Sequence, residues 1–224
     1  MTNSGTGPGS ITPDGSPVEF YTLLTADEEP AIVSGVVQEG GSILEIGSGV
    51  GRLTHPLLEL GYEVVAVDES AEMLAYVRGA ETVLARAQDL RLERTFDAVL
   101  LASQLVNTAD DAARRDLLDA CARHLAPGGK LIIQWMPADA QDRWRAGQGR
   151  DDGPIRVEVA TVTEAEPGVY ATTMRYTCQG REWTQSFHSR RLTDEELATE
   201  LAASGLVLER FLTEGRHWLV ATPG

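Results

Sequence analysis

Positive charge is scarce in this chain of 224 residues. Nineteen lysines and arginines face 34 aspartates and glutamates, giving a formal charge of −15, and Lys130 is the only lysine. A phosphate backbone needs a basic face, so nucleic acid is not an expected partner, and the same deficit argues against anionic membrane surfaces. Cysteine is scarcer still. Cys121 and Cys178 lie far apart and in no C-x-x-C arrangement, which points to a reduced, cytoplasmic setting rather than a disulfide framework. The four histidines have no ligand spacing, so no metal site is expected. No apolar run reaches membrane-spanning length, and the N-terminus lacks the basic and apolar regions of a secretory leader.

What remains is enough for a globular protein. At 42% apolar residues the chain can bury one core of ordinary size, and a second domain is not expected. Residues 1–17 are mostly Gly, Ser, Thr and Pro and read as a disordered tail, leaving 18–224 as a single domain. Around Phe20, Tyr21, Leu23 and Leu24, then Ile32, Val33, Val36 and Val37, the spacing suits one or two short helices broken near Pro30.

The organising stretch follows. Residues 43–46 read as a short buried strand, and three glycines come after it at alternating positions, Gly47, Gly49 and Gly51. An amphipathic helix then begins at Leu53. Strand, glycine turn and helix in that order bring bare backbone N–H groups to one point, where a ligand can approach. The spacing is G-x-G-x-G, not the G-x-G-x-x-G of dinucleotide enzymes, and Glu45 stands two residues before it. A second strand, 63–67, ends on Asp68, where a carboxylate can accept from both hydroxyls of a ribose. Ser70 then caps a helix that carries Met73.

Glu45-x-Gly47-x-Gly49-x-Gly51, followed by Val67-Asp68-x-Ser70-x-x-Met73-Leu74, resembles the class I S-adenosylmethionine-dependent methyltransferases. The turn Leu125-x-Pro127-Gly128-Gly129-x-Leu131 strengthens the likeness, which covers about 18–137. The resemblance implies S-adenosylmethionine as cofactor and S-adenosylhomocysteine as product. It assigns cofactor contacts to Glu45, Gly47, Ser48, Gly49, Gly51 and Arg52 on the turn, and to Asp68, Glu69 and Met73 after the second strand. Asp89, in Gln88-Asp89-Leu90, falls where the family has an acid that accepts from the adenine amino group, although a plain turn residue would look the same. Ser103 after the fourth strand joins the set. Tyr21 could sit near the sulfonium or simply pack in a helix.

The implied fold is α/β, a Rossmann-like doubly wound sheet with an antiparallel C-terminal hairpin at 206–212 and 217–221. Before the last helix, which opens on the capping box Thr193-Asp194-Glu195-Glu196, three alternating runs at 155–163, 169–178 and 182–191 predict a three-stranded antiparallel insertion. Residues 137–192 would then cover the acceptor.

Methyl transfer from a sulfonium relies mainly on in-line positioning and desolvation, so it leaves few marks in a sequence. A base is needed only for a hydroxyl, thiol or protonated amine. The candidates are His188 on the third insertion strand and Gln104 as a polar orienter, with a satisfied surface histidine as the alternative for His188. Relatives with Leu-Ala-Ser-His-Leu-Val-Asn have a histidine where this chain has Gln104, and an amide does not titrate. Trp135, Arg175 and Trp183 could line a pocket for a small-molecule acceptor carrying a polar or anionic group, although each could equally serve packing or a salt bridge. Three competing readings remain: a cofactor-binding protein with altered or lost transfer, an NAD-dependent oxidoreductase, and a non-catalytic interaction module. A monomer or a homodimer is compatible with all of them.

Overall fold

The computed structural model describes residues 3–224. A short strand β1 (Ser4–Thr6) precedes two short helices, α1 (Val18–Tyr21) and α2 (Glu29–Ser34). Strands and helices then alternate as β2 (Ser42–Ile46), α3 (Thr54–Glu59), β3 (Glu63–Asp68), α4 (Ala71–Leu74), β4 (Glu81–Leu84), β5 (Phe96–Leu101), α5 (Asp111–His124) and β6 (Leu125–Gln134). After α6 (Ala138–Gln141) come β7 (Gly149–Asp152), β8 (Ile155–Glu166), β9 (Val169–Cys178) and β10 (Arg181–Arg190). The chain closes with α7 (Asp194–Ala203), β11 (Leu206–Phe211) and β12 (Trp218–Pro223).

Seven strands form a mixed sheet in the order β11-β12-β6-β5-β2-β3-β4. β2 pairs in parallel with both β3 and β5, so the winding reverses beside it. In doubly wound sheets that switch point opens a crevice at the strands' C-terminal ends. β12 runs antiparallel to β6, and β11 antiparallel to β12, as the closing hairpin requires.

Alternation along each strand divides the core. Leu44, Ile46, Val65, Val67, Val99 and Leu101 face α5 and α7 through Leu118, Cys121, Leu197 and Leu201. Ile43, Val64, Ala98 and Leu100 face the other way, toward Val33, Leu53 and Leu57. Both faces of a parallel sheet are thereby covered. The helices begin where their side chains allow: Asp110 caps α5 by accepting from Ala112 and Ala113, and Thr193 and Glu196 form the reciprocal box on α7. Glycine follows α7 at Gly205 (φ +73°), a backbone conformation that ends the helix.

The insertion is larger than its three predicted strands. β8, β9 and β10 form the expected meander, and β7 and β1 add to its two edges to give a five-stranded antiparallel sheet in the order β1-β10-β9-β8-β7. The expected disordered tail is therefore corrected for residues 3–17, while residues 1–2 lie outside the described residues. Ser4, Gly5 and Thr6 pair with Ser186, Gln185 and Thr184. Trp183 Nε1 donates to the Pro8 carbonyl (2.9 Å), and Ile11 bridges Pro17. A sequence poor in apolar residues stays ordered here because its backbone completes a sheet edge and its polar side chains find buried partners. α1 docks on the same sheet, with the Phe20 ring stacked on Tyr176 at 4.1 Å between centroids and Trp183 beside it.

Candidate active site

The turn after β2 is built by backbone conformation. Gly47 (φ +75°) and Gly49 (φ +56°) occupy the left-handed region, where side chains with a Cβ are strained. Their neighbours differ. A Cβ on Gly47 would run into Leu105, whereas one on Gly49 would meet only the Met73 sulfur, 4.0 Å away. Gly47 is thus required by protein packing, and Gly49 faces a gap in the protein. Gly47 and Ser48 both donate their N–H to the Val67 carbonyl, at 2.8 and 2.9 Å, which ties the turn to β3. Ser48 is 5% exposed, and its hydroxyl oxygen is enclosed with no partner among the described residues.

Two carboxylates flank the turn. Asp68, at the end of β3, accepts from the Gly49 N–H through Oδ2 (2.8 Å) and from the Ser70 N–H through Oδ1 (2.9 Å). Burial raises its pKa, and those two N–H groups oppose the shift. Each oxygen keeps capacity for a further donor. Glu45 shares the β2 face of Ile43, is 2% exposed, and accepts from the Thr54 hydroxyl at 2.5 Å. Burial pushes its carboxyl up to about 7.

These groups border one cavity of about 1640 Å³ over the carboxyl ends of the central strands. A drug-sized ligand fills roughly 300–1,000 Å³, so there is room for a nucleoside cofactor and a second molecule. Tyr21, Glu45, Gly47, Ser48, Gly49, Arg52, Asp68, Glu69, Met73, Gln88, Ser103 and Gln104 all line it. Arg52 does so with its charge engaged, its guanidinium 2.6 Å from Glu29. Three of the expected cofactor residues are not in the lining. A Cβ on Gly51 would press on the His55 ring, so this glycine serves packing. In the one-turn helix Ala87–Asp89 both Gln88 and Asp89 are exposed, but Gln88 borders the cavity and Asp89 does not, while Leu90 is 1% exposed in the main core.

Ser103 (φ +54°) and Gln104 (φ +60°) are consecutive non-glycine residues in the left-handed region, a strained pair at the tip of β5. The Ser103 N–H donates to Gln134 Oε1 at 2.8 Å. Behind them Asn107, 3% exposed, donates to the Met136 and Arg190 carbonyls and accepts from the Met136 N–H. That side chain locks the ends of β5, β6 and β10 together.

Of the two alternating sets on β10, the one with Trp183, Gln185 and Phe187 faces Phe20 and Tyr21. Thr184 and Ser186, the set to which His188 belongs, bond instead to Thr6 and Thr173. His188 borders the cavity at the strand's end, with Nδ1 enclosed and unpartnered among the described residues. Trp135, Trp183 and Arg175 do not line the cavity. Trp135 is fully buried with Nε1 bonded to the Arg216 carbonyl, Trp183 packs on Phe20, and Arg175 pairs with Glu158 and Glu182.

Sequence reasoning missed the N-terminal wall. Thr12, Asp14 and Ser16 line the cavity. Ser16 Oγ donates to Asp14 Oδ2 (2.8 Å) and accepts from Gln185 Nε2 (2.9 Å). Gln185 Oε1 in turn accepts from the hydroxyls of Tyr21 (3.1 Å) and Tyr176 (3.0 Å). Burial raises the pKa of the Tyr21 phenol. No local signal marks residues 12–16 as a cavity wall, because Gln185, which ties Ser16 to the antiparallel sheet, stands 169 residues away.

An open glycine turn, a carboxylate at the tip of the next strand and an enclosed hydroxyl define a nucleoside-cofactor site on a class I methyltransferase fold. Comparison with known proteins agrees. Residues 43–129 match the model of a methyltransferase domain. An uncharacterised methyltransferase of Mycobacterium tuberculosis is 37% identical over 161 residues, which cover 68% of this chain and 61% of that protein. The chain thus spans about three fifths of the length of this relative. Among solved structures, an S-adenosylmethionine-dependent methyltransferase from Clostridium acetobutylicum superposes with a TM-score of 0.73 at 15% identity, covering 92% of this chain and 97% of that one. A sugar N-methyltransferase from Streptoalloteichus gives 0.70 at 21% identity and 97% of both chains. Residues 43–129 thus form a methyltransferase domain, and the chain has the fold of the S-adenosylmethionine-dependent methyltransferases.

Proposed function

We propose that the protein transfers a methyl group from S-adenosylmethionine to a small-molecule acceptor. The observation that carries this reading is the gap before Gly49, bordered by the Asp68 carboxylate and the enclosed Ser48 hydroxyl. A Cβ at Gly49 would occupy space left by no protein atom, and the two polar groups suit a ribose and the polar end of an amino acid. Asp68 would hold the ribose hydroxyls, Met73 and Gln88 would border the nucleoside, and Ser103 would face the amino-acid portion. Bound there, the cofactor supplies a methyl group already activated by positive sulfur.

The chain's own part is to orient and to exclude water. The antiparallel sheet covers the cleft with Val157, Met174, Tyr176 and Phe187, apolar surface that lowers the local dielectric around the reacting atoms. Residues 12–16 and α1 close the remaining side. A small acceptor is also what the likeness to a sugar N-methyltransferase suggests. The test is a labelled-methyl transfer assay against small-molecule fractions of a cell extract, with Asp68→Ala as control. Label should pass to a small product with the native chain and, at limiting cofactor, far less with the variant.

A further inference from the structure

Charge in the cavity is one-sided. Asp14, Asp27, Glu28, Asp68, Asp152 and Glu214 line it and make no ion pair among the described residues. Of the arginines that reach it, Arg52 is bound to Glu29 and Arg86 lies 3.5 Å from Glu69, while Arg150 sits on the exposed edge strand β7. Such a field opposes an anionic ligand and favours a cationic one.

Hydrogen-bonding capacity points the same way. Gln141 is 3% exposed and lines the cavity; its Nε2 donates to Ser189 Oγ at 2.9 Å, yet its Oε1 has no partner. An amide oxygen can only accept. Asp14 is likewise an acceptor, held in place by the Ser16 hydroxyl and N–H and backed by Gln185. Burial is the main cause of the raised pKa of Tyr21 and of Asp68, and the Asp14 charge adds to it in both. Asp14 lines the same cavity as Asp68 and Tyr21.

A protonated amine carries three N–H donors and no acceptor, which complements such a wall; a carboxylate or phosphate does not. The half-buried side chains of Val157, Met174 and Phe187 provide the apolar surface for the body that carries it. Resting on the methyl-transfer reading, we infer that the acceptor is an amine on a partly apolar body, and that Asp14 receives its nitrogen. The ammonium must lose a proton before its nitrogen has a lone pair to offer, and that proton passes from nitrogen to an Asp14 carboxylate oxygen.

Calorimetry on the full chain tests this with two probes. Both are S-adenosylhomocysteine analogues in which nitrogen replaces sulfur; one carries a 3-aminopropyl arm and the other a butyl arm. The native chain should bind the aminopropyl probe at least tenfold more tightly at neutral pH. Asp14→Asn should reduce that preference to within twofold and leave S-adenosylhomocysteine affinity unchanged, and Asp14→Glu should restore most of it. Equal binding of both probes by the native chain overturns the inference, a comparison that needs no variant to fold. It is also overturned if Asp14→Asn keeps the preference and instead weakens S-adenosylmethionine relative to S-adenosylhomocysteine, because Asp14 would then serve the sulfonium. A native chain that binds no S-adenosylhomocysteine defeats the methyl-transfer reading itself.

Discussion

The N–H of Gly49 donates to Asp68 Oδ2 at 2.8 Å, which makes the glycine turn and the tip of β3 one hydrogen-bonded unit. The residue that leaves room for a ligand and the residue that would hold its ribose are fixed to each other before any ligand arrives. Preorganisation of this kind lowers the ordering cost of binding.

Asp68→Ala should therefore act twice. It removes the acceptor for a ribose, weakening S-adenosylhomocysteine binding by ~1.5–3 kcal/mol, the scale of charged hydrogen bonds. It also strands the Gly49 and Ser70 N–H groups, so the melting temperature should fall as well. Calorimetry and thermal melts on the same sample separate the two, and unchanged affinity in a folded variant would remove Asp68 from the site.

The glycines should respond differently to the same change. Leucine at Gly49 should abolish S-adenosylhomocysteine binding while the fold persists, since only the Met73 sulfur stands near. Leucine at Gly47 collides with Leu105 and should destabilise the domain itself. Circular dichroism alongside binding tells these outcomes apart.

Glu45 predicts a pH dependence of stability. Its folded pKa of about 7 lies above the ordinary carboxyl value near 4.5, so the folded state holds this proton more tightly than the unfolded chain. The contribution is complete below pH 4.5, declines as pH rises toward 7, and is gone above it, on the order of 3 kcal/mol in all. Glu45→Gln cannot titrate and should flatten this part of the curve. Denaturant midpoints at intervals from pH 4.5 to 8 would show it; parallel curves for the two proteins would mean that Glu45 titrates normally.

Gln185→Leu should leave the Tyr21 and Tyr176 hydroxyls without their shared acceptor and free Ser16. Each buried group left unpaired costs about 1–3 kcal/mol. Limited proteolysis should then cut within residues 3–17, and Trp183 fluorescence should shift to the red as its Pro8 contact is lost. Resistance equal to that of the native chain would show that the N-terminal segment is held by β1 pairing alone.

Where pattern and chemistry coincide locally, the sequence was readable. The strand at Phe96–Leu101, the capped helix Asp111–His124, the Thr193 box and the closing hairpin all follow from period, caps and turn residues within a few positions. The turn from Gly47 to Gly51 and the acid at Asp68 were legible for the same reason. What stayed hidden depends on partners remote in the chain. Asp14 and Ser16 look like turn residues until β10 brings Gln185 to them. Trp135 and Trp183 read equally as pocket walls or as packing, and packing with a single N–H bond takes both. Asp89 has the right spacing, yet it is exposed and does not border the cavity.

The central claim is that this cleft takes the nucleoside of S-adenosylmethionine, and one titration tests it most directly. S-adenosylhomocysteine added to the native chain in a calorimeter should bind at one site per chain, with NAD giving no heat under the same conditions and Gly49→Leu erasing the signal. A native, folded chain that ignores S-adenosylhomocysteine, or that takes NAD in its place, would contradict the account.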